Sequence, residues 1–168
     1  RGIAAPVLIG DSGRVSERAR SLGLNLSKVE IILPDSVALE RYLQMLMPDW
    51  KSKGTSELEA RSRLETPIYY AAAMVRAGDA DGFVCGAATT TAETVRVALR
   101  CIGLAEGSSI VSSYFLMAFA SSDYGDRGGL VFSDCAVMPV PSVPQLAEIA
   151  LQAAANARKL LDCEPRVA

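Results

Sequence analysis

The sequence contains no histidine among its 168 residues. This absence excludes the Ser-His-Asp triad, the Cys-His pair and every metal site that depends on imidazole ligands. The cysteines never form a C-x-x-C pair, and they are Cys85, Cys101, Cys135 and Cys163. We therefore expect reduced thiols with no disulfide and no metal site. Any chemistry must come from carboxylates, hydroxyls, lysines, arginines or backbone amides.

The sequence also lacks a large excess of charge of either sign and long apolar runs. The 17 basic and 19 acidic residues give a net charge of -2, which leaves no basic surface for nucleic acid or an anionic membrane. Apolar stretches such as residues 68–75 and 114–120 are too short to span a bilayer, and no signal-peptide pattern opens the chain. We expect a cytoplasmic, soluble protein of one compact unit, with no nucleic-acid or membrane partner.

What the sequence does contain is an alternation of strand and helix patterns. Strands are predicted at residues 6–10, 29–33 and 82–85. Helices are predicted from Val15 to near Gly23 and over residues 35–47, 56–64, 67–77, 90–103 and 143–161. Two β-rich runs, 109–119 and 129–136, are joined by a polar loop and predict an antiparallel hairpin. This order predicts an α/β fold, with a largely parallel sheet, helices on both faces and an antiparallel insertion.

The segment GAATTTAETVR, residues 86–96, is the most informative candidate site. Thr90 and Glu93 match a capping box, in which each side chain bonds the backbone amide of the other residue. A helix start after a buried strand also offers free amides and a positive dipole end to phosphate. Arg96 lies on the shoulder of the apolar face, within reach of a cleft. The alternative is that the threonines only cap the helix and Arg96 extends into solvent.

Three other segments are weaker candidates for a functional site. Asp134, at the end of a β run, is either a hydrogen-bonding or basic group in a cleft or an acid bonded to the backbone. Residues 51–54 are either a solvated helix end or a phosphate contact. Residues 10–13 lack the G-x-G-x-x-G spacing and predict a simple turn. The last residues, 165–168, begin what should be another strand, so we expect a fragment of a longer protein.

Five sequence blocks, in order, resemble the phosphate acetyl/butyryltransferase family, and within it the phosphate acetyltransferases. The blocks are KGTSELEAR, GDADGFVCGAATTTAETVRVALR, SSIVSSYFLM, GLVFSDCAVMPVPSVPQLAEIAL and EPRVA. The resemblance implies a two-lobed α/β fold like that of isocitrate and isopropylmalate dehydrogenases, and a homodimer. It would place one α/β lobe at residues 1–105 and the start of a second lobe at 106–168.

The resemblance also implies an acyltransferase. The family transfers an acetyl group reversibly between acetyl-CoA and phosphate by direct attack of the CoA thiol, with no metal in the chemical step and no permanently bound cofactor. The expected partners are CoA, acetyl phosphate and phosphate; the acyl chain length stays open. The family's catalytic residues would lie after Ala168, so we expect these 168 residues alone to be inactive.

The resemblance assigns candidate site residues at the positions where this sequence matches a family motif. Arg96 matches the substrate-binding arginine of the T-A-x-x-x-R-x-A-L block, Ser112 and Ser113 match V-S-S, and Asp134 matches D-C-A. The expected substrate- or CoA-binding residues are Thr90, Thr91, Arg96, Ser112, Ser113 and Asp134.

Three positions depart from the family pattern. Trp50 stands where the family commonly has an arginine that helps hold CoA, Thr89 where it has histidine, and Met138 where it has asparagine. These departures mildly favour an alternative function, a non-catalytic, acetyl-CoA-responsive regulatory domain like the one at the end of some malic enzymes. A nicotinamide-dependent dehydrogenase would rest on shared fold alone.

Overall fold

A computed structural model describes residues 3–168, and the chain divides into two compact units. The first ends at Gly103 and the second extends from Leu104 to Ala168. Within residues 3–168, no helix has the length and apolar character needed to cross a membrane.

The first unit opens with a parallel pair of strands joined by a helix. The elements are β1 (Val7–Ile9), α1 (Ser12–Ser21) and β2 (Glu30–Ile32). Val7 lies opposite Glu30 and Ile9 lies opposite Ile32. Asp11 begins α1 by accepting a hydrogen bond from the Arg14 amide at 2.8 Å. Ser12 and Gly13 therefore belong to the first turn of α1 and not to a separate turn, so the helix begins before the predicted Val15.

Four further helices complete the first unit. They are α2 (Ser36–Ser52), α3 (Glu57–Leu64), α4 (Pro67–Ala77) and α5 (Thr91–Cys101). Helix α2 runs beyond the predicted end at residue 47, although Pro48 lies inside it and cannot donate a helical hydrogen bond. Trp50, 2% exposed, lies in this extra turn. Its burial compensates for the lost bond, so tertiary packing overrides the local stop signal.

The core of the first unit is built by helices packing on helices. Its buried members come from α2 to α5: Leu39, Tyr42, Leu43, Leu46, Trp50, Ala60, Leu64, Tyr70, Ala72, Ala73, Met74, Val97 and Cys101. Ile9 and Ile32 of the two strands pack against this cluster and are partly buried. The core therefore fixes α5 through Val97 and Cys101 while the opposite side of that helix stays open to solvent.

The strand predicted at residues 82–85 is wrong. In the part of the chain that the structure describes, this apolar run has no ladder partner, and Val84 is fully exposed. An apolar run becomes a strand only where a neighbouring strand satisfies its backbone groups. Residues 165–168 likewise form no strand. The mixed α/β class is confirmed, but among residues 3–168 parallel pairing is limited to β1 and β2.

The second unit consists of a hairpin and a long helix. Its elements are β3 (Tyr114–Ala118), β4 (Gly129–Ser133) and α6 (Val143–Leu161). The strands pair antiparallel, with Tyr114 opposite Ser133, so the predicted hairpin is confirmed. Helix α6 packs on β4 and has the bounds that the sequence predicted. Its Glu148 carboxylate accepts hydrogen bonds from the Ser109 and Ile110 amides at 2.7 and 3.2 Å, which fixes the segment before β3.

Candidate functional site

The start of α5 is shaped by the hydroxyl of Thr90. This hydroxyl accepts a hydrogen bond from the Glu93 amide at 3.2 Å, and the Thr90 backbone is extended, as a capping residue requires. The Thr94 hydroxyl donates back to the Thr90 carbonyl at 3.1 Å. The return bond from the Thr90 amide to the Glu93 carboxylate is not formed among residues 3–168. Half of the predicted capping box is therefore present.

The first turn of α5 has mixed electrostatics. The amides of Thr91 and Ala92 begin the helix, where geometry offers them no intrahelical acceptor. These amides and the helix dipole attract an anion. Glu93 adds a negative charge to the same turn, which opposes that attraction. A cation from elsewhere must therefore help if an anion is to bind here.

Arg96 is the nearest cation on the same helix. Its side chain is exposed, and among residues 3–168 it makes neither an ion pair nor a side-chain hydrogen bond. One turn later, Arg100 donates instead to the Tyr69 hydroxyl at 3.2 Å. The Arg96 guanidinium is therefore exposed and unpaired within residues 3–168, which agrees both with a ligand contact and with simple extension into solvent.

In the second unit, Ser113 organises the open end of the hairpin. Its hydroxyl donates to the Asp134 carboxylate and accepts from the amides of Ala136 at 2.8 Å and Cys135 at 3.2 Å. Asp134 in turn accepts from the amides of Ala136, Val137 and Met138 at 2.9 to 3.1 Å. One hydroxyl and one carboxylate therefore hold the whole turn that follows β4.

The ionisation of Asp134 follows from these contacts. Partial burial is the largest single influence and raises the pKa of the carboxyl. Hydrogen bonds from Ser113 and from the amides of Val137 and Ala136 together outweigh it, so the pKa lies below its ordinary value. The group is ionised at neutral pH with both oxygens engaged. The geometry supports the interpretation of Asp134 as an acid bonded to backbone rather than as a base.

Ser112 makes a separate contact across the hairpin. Its hydroxyl lies 3.1 Å from the Ser133 hydroxyl, which donates to the Ser113 carbonyl at 2.9 Å. The sequence analysis missed Ser133 and also Glu148, which holds the segment before β3. The hairpin register could have found Ser133, because Tyr114 lies opposite it and Ser112 lies only two residues earlier.

The six expected binding residues therefore form two separate groups. Thr90 and Thr91 lie at the beginning of α5 in the first unit, and Arg96 lies in the second turn of the same helix. Ser112, Ser113 and Asp134 lie at one end of the hairpin in the second unit, where hydrogen bonds join Ser113 to Asp134 and Ser112 to Ser133.

The three departures from the family pattern have different surroundings. Trp50 is a core residue, and its indole N–H donates to the Arg100 carbonyl at 2.8 Å. The Thr89 hydroxyl oxygen is buried without a hydrogen-bond partner in the described part of the chain. Met138 contributes its amide to the Asp134 turn, a contact that does not depend on its side chain. Residues 51–54 form the exposed end of α2, the simpler of their two interpretations.

Comparison with known sequences covers the whole chain. Residues 1–168 match the family described as "Phosphate acetyl/butaryl transferase". The chain is 40% identical over 168 residues to a phosphate acetyltransferase of Clostridium acetobutylicum, covering 99% of this chain and 50% of that protein. It is 41% identical over 169 residues to one from Escherichia coli, covering 100% of this chain and 22% of that protein. The chain thus spans half or less of the length of these relatives.

Solved structures that superimpose on this chain are also phosphotransacetylases. A phosphotransacetylase from Streptococcus pyogenes superimposes with a TM-score of 0.82 at 32% identity, covering 98% of this chain and 48% of that one. The EutD phosphotransacetylase from Staphylococcus aureus gives a TM-score of 0.76 at 36% identity, covering 91% and 44%.

Proposed function

The chain belongs to the phosphate acetyl/butyryltransferase family, and we propose that the full-length protein transfers an acetyl group reversibly between acetyl-CoA and phosphate. In the direction of thioester synthesis, the CoA sulfur attacks the carbonyl carbon of acetyl phosphate. A C–S bond forms, the C–O bond to phosphate breaks, the thiol proton passes to a base and phosphate leaves. The family resemblance would place the catalytic base in a part of the protein beyond residue 168.

The observation that carries this proposal is Arg96 in the second turn of α5, which is exposed and forms no ion pair within residues 3–168. A guanidinium binds phosphate through paired, charge-assisted hydrogen bonds. The amides of Thr91 and Ala92 add donors on the same helix. The Thr90 hydroxyl is occupied by the cap, so Thr90 acts by fixing where the helix begins.

The serine and aspartate group in the second unit has a supporting role. We infer that Ser113 and Asp134 hold the 134–138 turn in shape, because their polar atoms are occupied by each other and by backbone amides. Within residues 3–168 the Ser112 hydroxyl bonds only Ser133 and a carbonyl, so it keeps spare hydrogen-bonding capacity for a ligand.

The complete protein is proposed to have the two-lobed fold of isocitrate and isopropylmalate dehydrogenases, with residues 1–105 in one lobe and 106–168 beginning the other. It would act in the cytoplasm as a homodimer, with CoA, acetyl phosphate and phosphate as its small-molecule partners. Two observations support the two-lobed arrangement: the chain divides near residue 103, and it superimposes on solved phosphotransacetylases.

One observation favours a second function. Trp50 is buried where the family resemblance expects a cation that holds CoA, so one ligand contact is replaced by a core residue. This fits an acetyl-CoA-responsive regulatory domain that binds the thioester without turning it over.

The two functions can be separated in the purified full-length protein. Thioester absorbance reports acetyl-CoA formation from acetyl phosphate and CoA, and calorimetry reports acetyl-CoA binding. Turnover supports the transferase, and saturable binding without turnover supports the regulatory domain. If the protein shows no turnover and no binding, both functions are rejected. The polypeptide of residues 1–168, assayed in parallel with the full-length protein, is expected to show no turnover. CoA-dependent turnover by this polypeptide would contradict the proposal that it lacks the catalytic residues.

A further inference from the structure

We propose that Trp50 is a positioning residue for Arg96, acting through the last turn of α5. This inference rests on the proposed function, because it assigns Trp50 a part in ligand binding at the same site. Trp50 touches no ligand in this proposal. It replaces a direct ligand contact expected at that position with an anchor for the helix that carries Arg96.

The central contact is a hydrogen bond from α2 to α5. The Trp50 indole N–H donates to the Arg100 carbonyl at 2.8 Å, and Trp50 is 2% exposed. Arg100 is the residue before the end of α5, so helical geometry leaves its carbonyl without an intrahelical donor. Trp50 supplies the donor that the helix itself lacks.

The Arg100 side chain is held by the same group of residues. Its guanidinium donates to the Tyr69 hydroxyl at 3.2 Å, and the Tyr69 ring meets the Trp50 ring edge to face with centroids 6.0 Å apart. The Arg63 guanidinium lies 5.9 Å from the centroid of the Trp50 ring. Trp50 of α2 therefore holds the backbone of Arg100 and Tyr69 of α4 holds its side chain, while Arg63 of α3 packs over the Trp50 ring.

Arg96 is connected to this anchor by one helical turn. In an α-helix the amide of residue i donates to the carbonyl of residue i−4, which joins Arg100 to Arg96. Within residues 3–168 the exposed Arg96 forms neither an ion pair nor a side-chain hydrogen bond that would hold it. Its position is consequently set by the backbone of α5, and Trp50 helps fix the last turn of that helix together with the buried Val97 and Cys101.

The test is Trp50→Phe in the full-length protein. This change keeps an aromatic ring in the core but removes the N–H, leaving a half-buried carbonyl unpaired. We expect KM for CoA or acetyl phosphate to rise by about threefold or more. In an Arg96→Ala background the same change is expected to leave both KM values unaltered, because a residue acting through Arg96 has no effect without it.

Tyr42→Phe is the matched control. Tyr42 also lies on α2, is 3% exposed and donates one hydrogen bond, to Asp79 at 2.6 Å. Losing that bond should lower Tm without altering either KM. Hydrogen exchange gives a readout independent of activity: Trp50→Phe should speed exchange of the α5 amides, and Tyr42→Phe should not.

Three results would overturn the inference: unchanged KM in Trp50→Phe, the same rise in the Arg96→Ala background, or unchanged exchange in α5. Failure of the proposed function looks different, because the unsubstituted protein would then show no CoA-dependent turnover. In that event the exchange experiment still decides whether Trp50 anchors α5, and the Kd for acetyl-CoA replaces KM in the comparison of variants.

Discussion

The hydroxyl of Ser113 donates a hydrogen bond to the carboxylate of Asp134 just beyond the last paired residues of the β3–β4 hairpin. The same hydroxyl accepts from the amides of Cys135 and Ala136. A single side chain thus serves as both donor and acceptor for the turn that follows β4. The shape of that turn depends on a contact between residues 21 positions apart in sequence.

Ser113→Ala tests this dependence. The change removes a donor from Asp134 and an acceptor from two amides, and we expect it to lower the free energy of unfolding by about 1–3 kcal/mol. Denaturant unfolding of the protein measures the loss. Ser112→Ala is the control, because its hydroxyl bonds only Ser133 and a carbonyl. Equal losses in the two variants would contradict the central place given to Ser113.

Asp134 should make stability depend on pH. Its pKa is lower in the folded protein than the ordinary value of 3.8, so its ionised form stabilises the fold at neutral pH. That contribution is lost as pH falls below about 5 and through the folded pKa. We expect Asp134→Asn to be less stable at pH 7 and to show a shallower loss of stability in acid.

Unfolding midpoints measured from pH 7 down to pH 3 would show this difference in slope. Asp81→Asn, a change at an exposed position, serves as the control and should follow the unsubstituted protein. Parallel curves for Asp134→Asn and the unsubstituted protein would mean that Asp134 does not hold the turn through its charge.

Arg96→Ala tests the ligand contact directly. Loss of a charge-assisted contact to phosphate should raise KM for CoA or acetyl phosphate at least severalfold in the full-length protein. Because Arg96 is exposed and forms no ion pair within residues 3–168, Tm should stay unchanged. Arg76→Ala removes an exposed arginine from the end of α4 and should leave both quantities unaltered. Unchanged kinetics in Arg96→Ala would reject Arg96 as a ligand.

Features encoded by local signals could be predicted from the sequence. Helix α6 has its predicted bounds because Ser142 and Gln145 mark its start; the Gln145 side chain accepts from the Ser142 amide at 2.8 Å. The Thr90 cap of α5 could likewise be predicted from the sequence, because both partners of its hydrogen bond lie within four residues.

Features that depend on distant partners could not be read in the same way. The apolar run at residues 82–85 has the composition of a strand, but no neighbouring strand pairs with it in the described part of the chain. The sequence pattern predicts an end of α2 near residue 47, but the helix continues through Pro48 because Trp50 packs against α4 and α5. The role of Asp134 needed the hairpin register, which places Ser113 beside it.

Thr90→Ala tests the start of α5. Removing the capping hydroxyl leaves the Glu93 amide without its partner, and such changes cost about 1 kcal/mol. Thr91→Ala is a matched control at an exposed neighbouring position inside the helix, where alanine is at least as favourable as threonine. Denaturant unfolding should separate the two variants, and an equal loss in both would show that Thr90 is not the cap.

The cysteines should differ sharply in reactivity. Burial raises the pKa of the Cys101 thiol to about 12, so it stays protonated and shielded from reagent at pH 8. Cys85 is exposed before the start of α5. Brief treatment with iodoacetamide followed by peptide mass spectrometry should label Cys85 well before Cys101, and denaturant should remove the difference. Early labelling of Cys101 in the native protein would mean that the packing of α5 against the helical core opens readily, which would also undermine the fixed position assigned to Arg96.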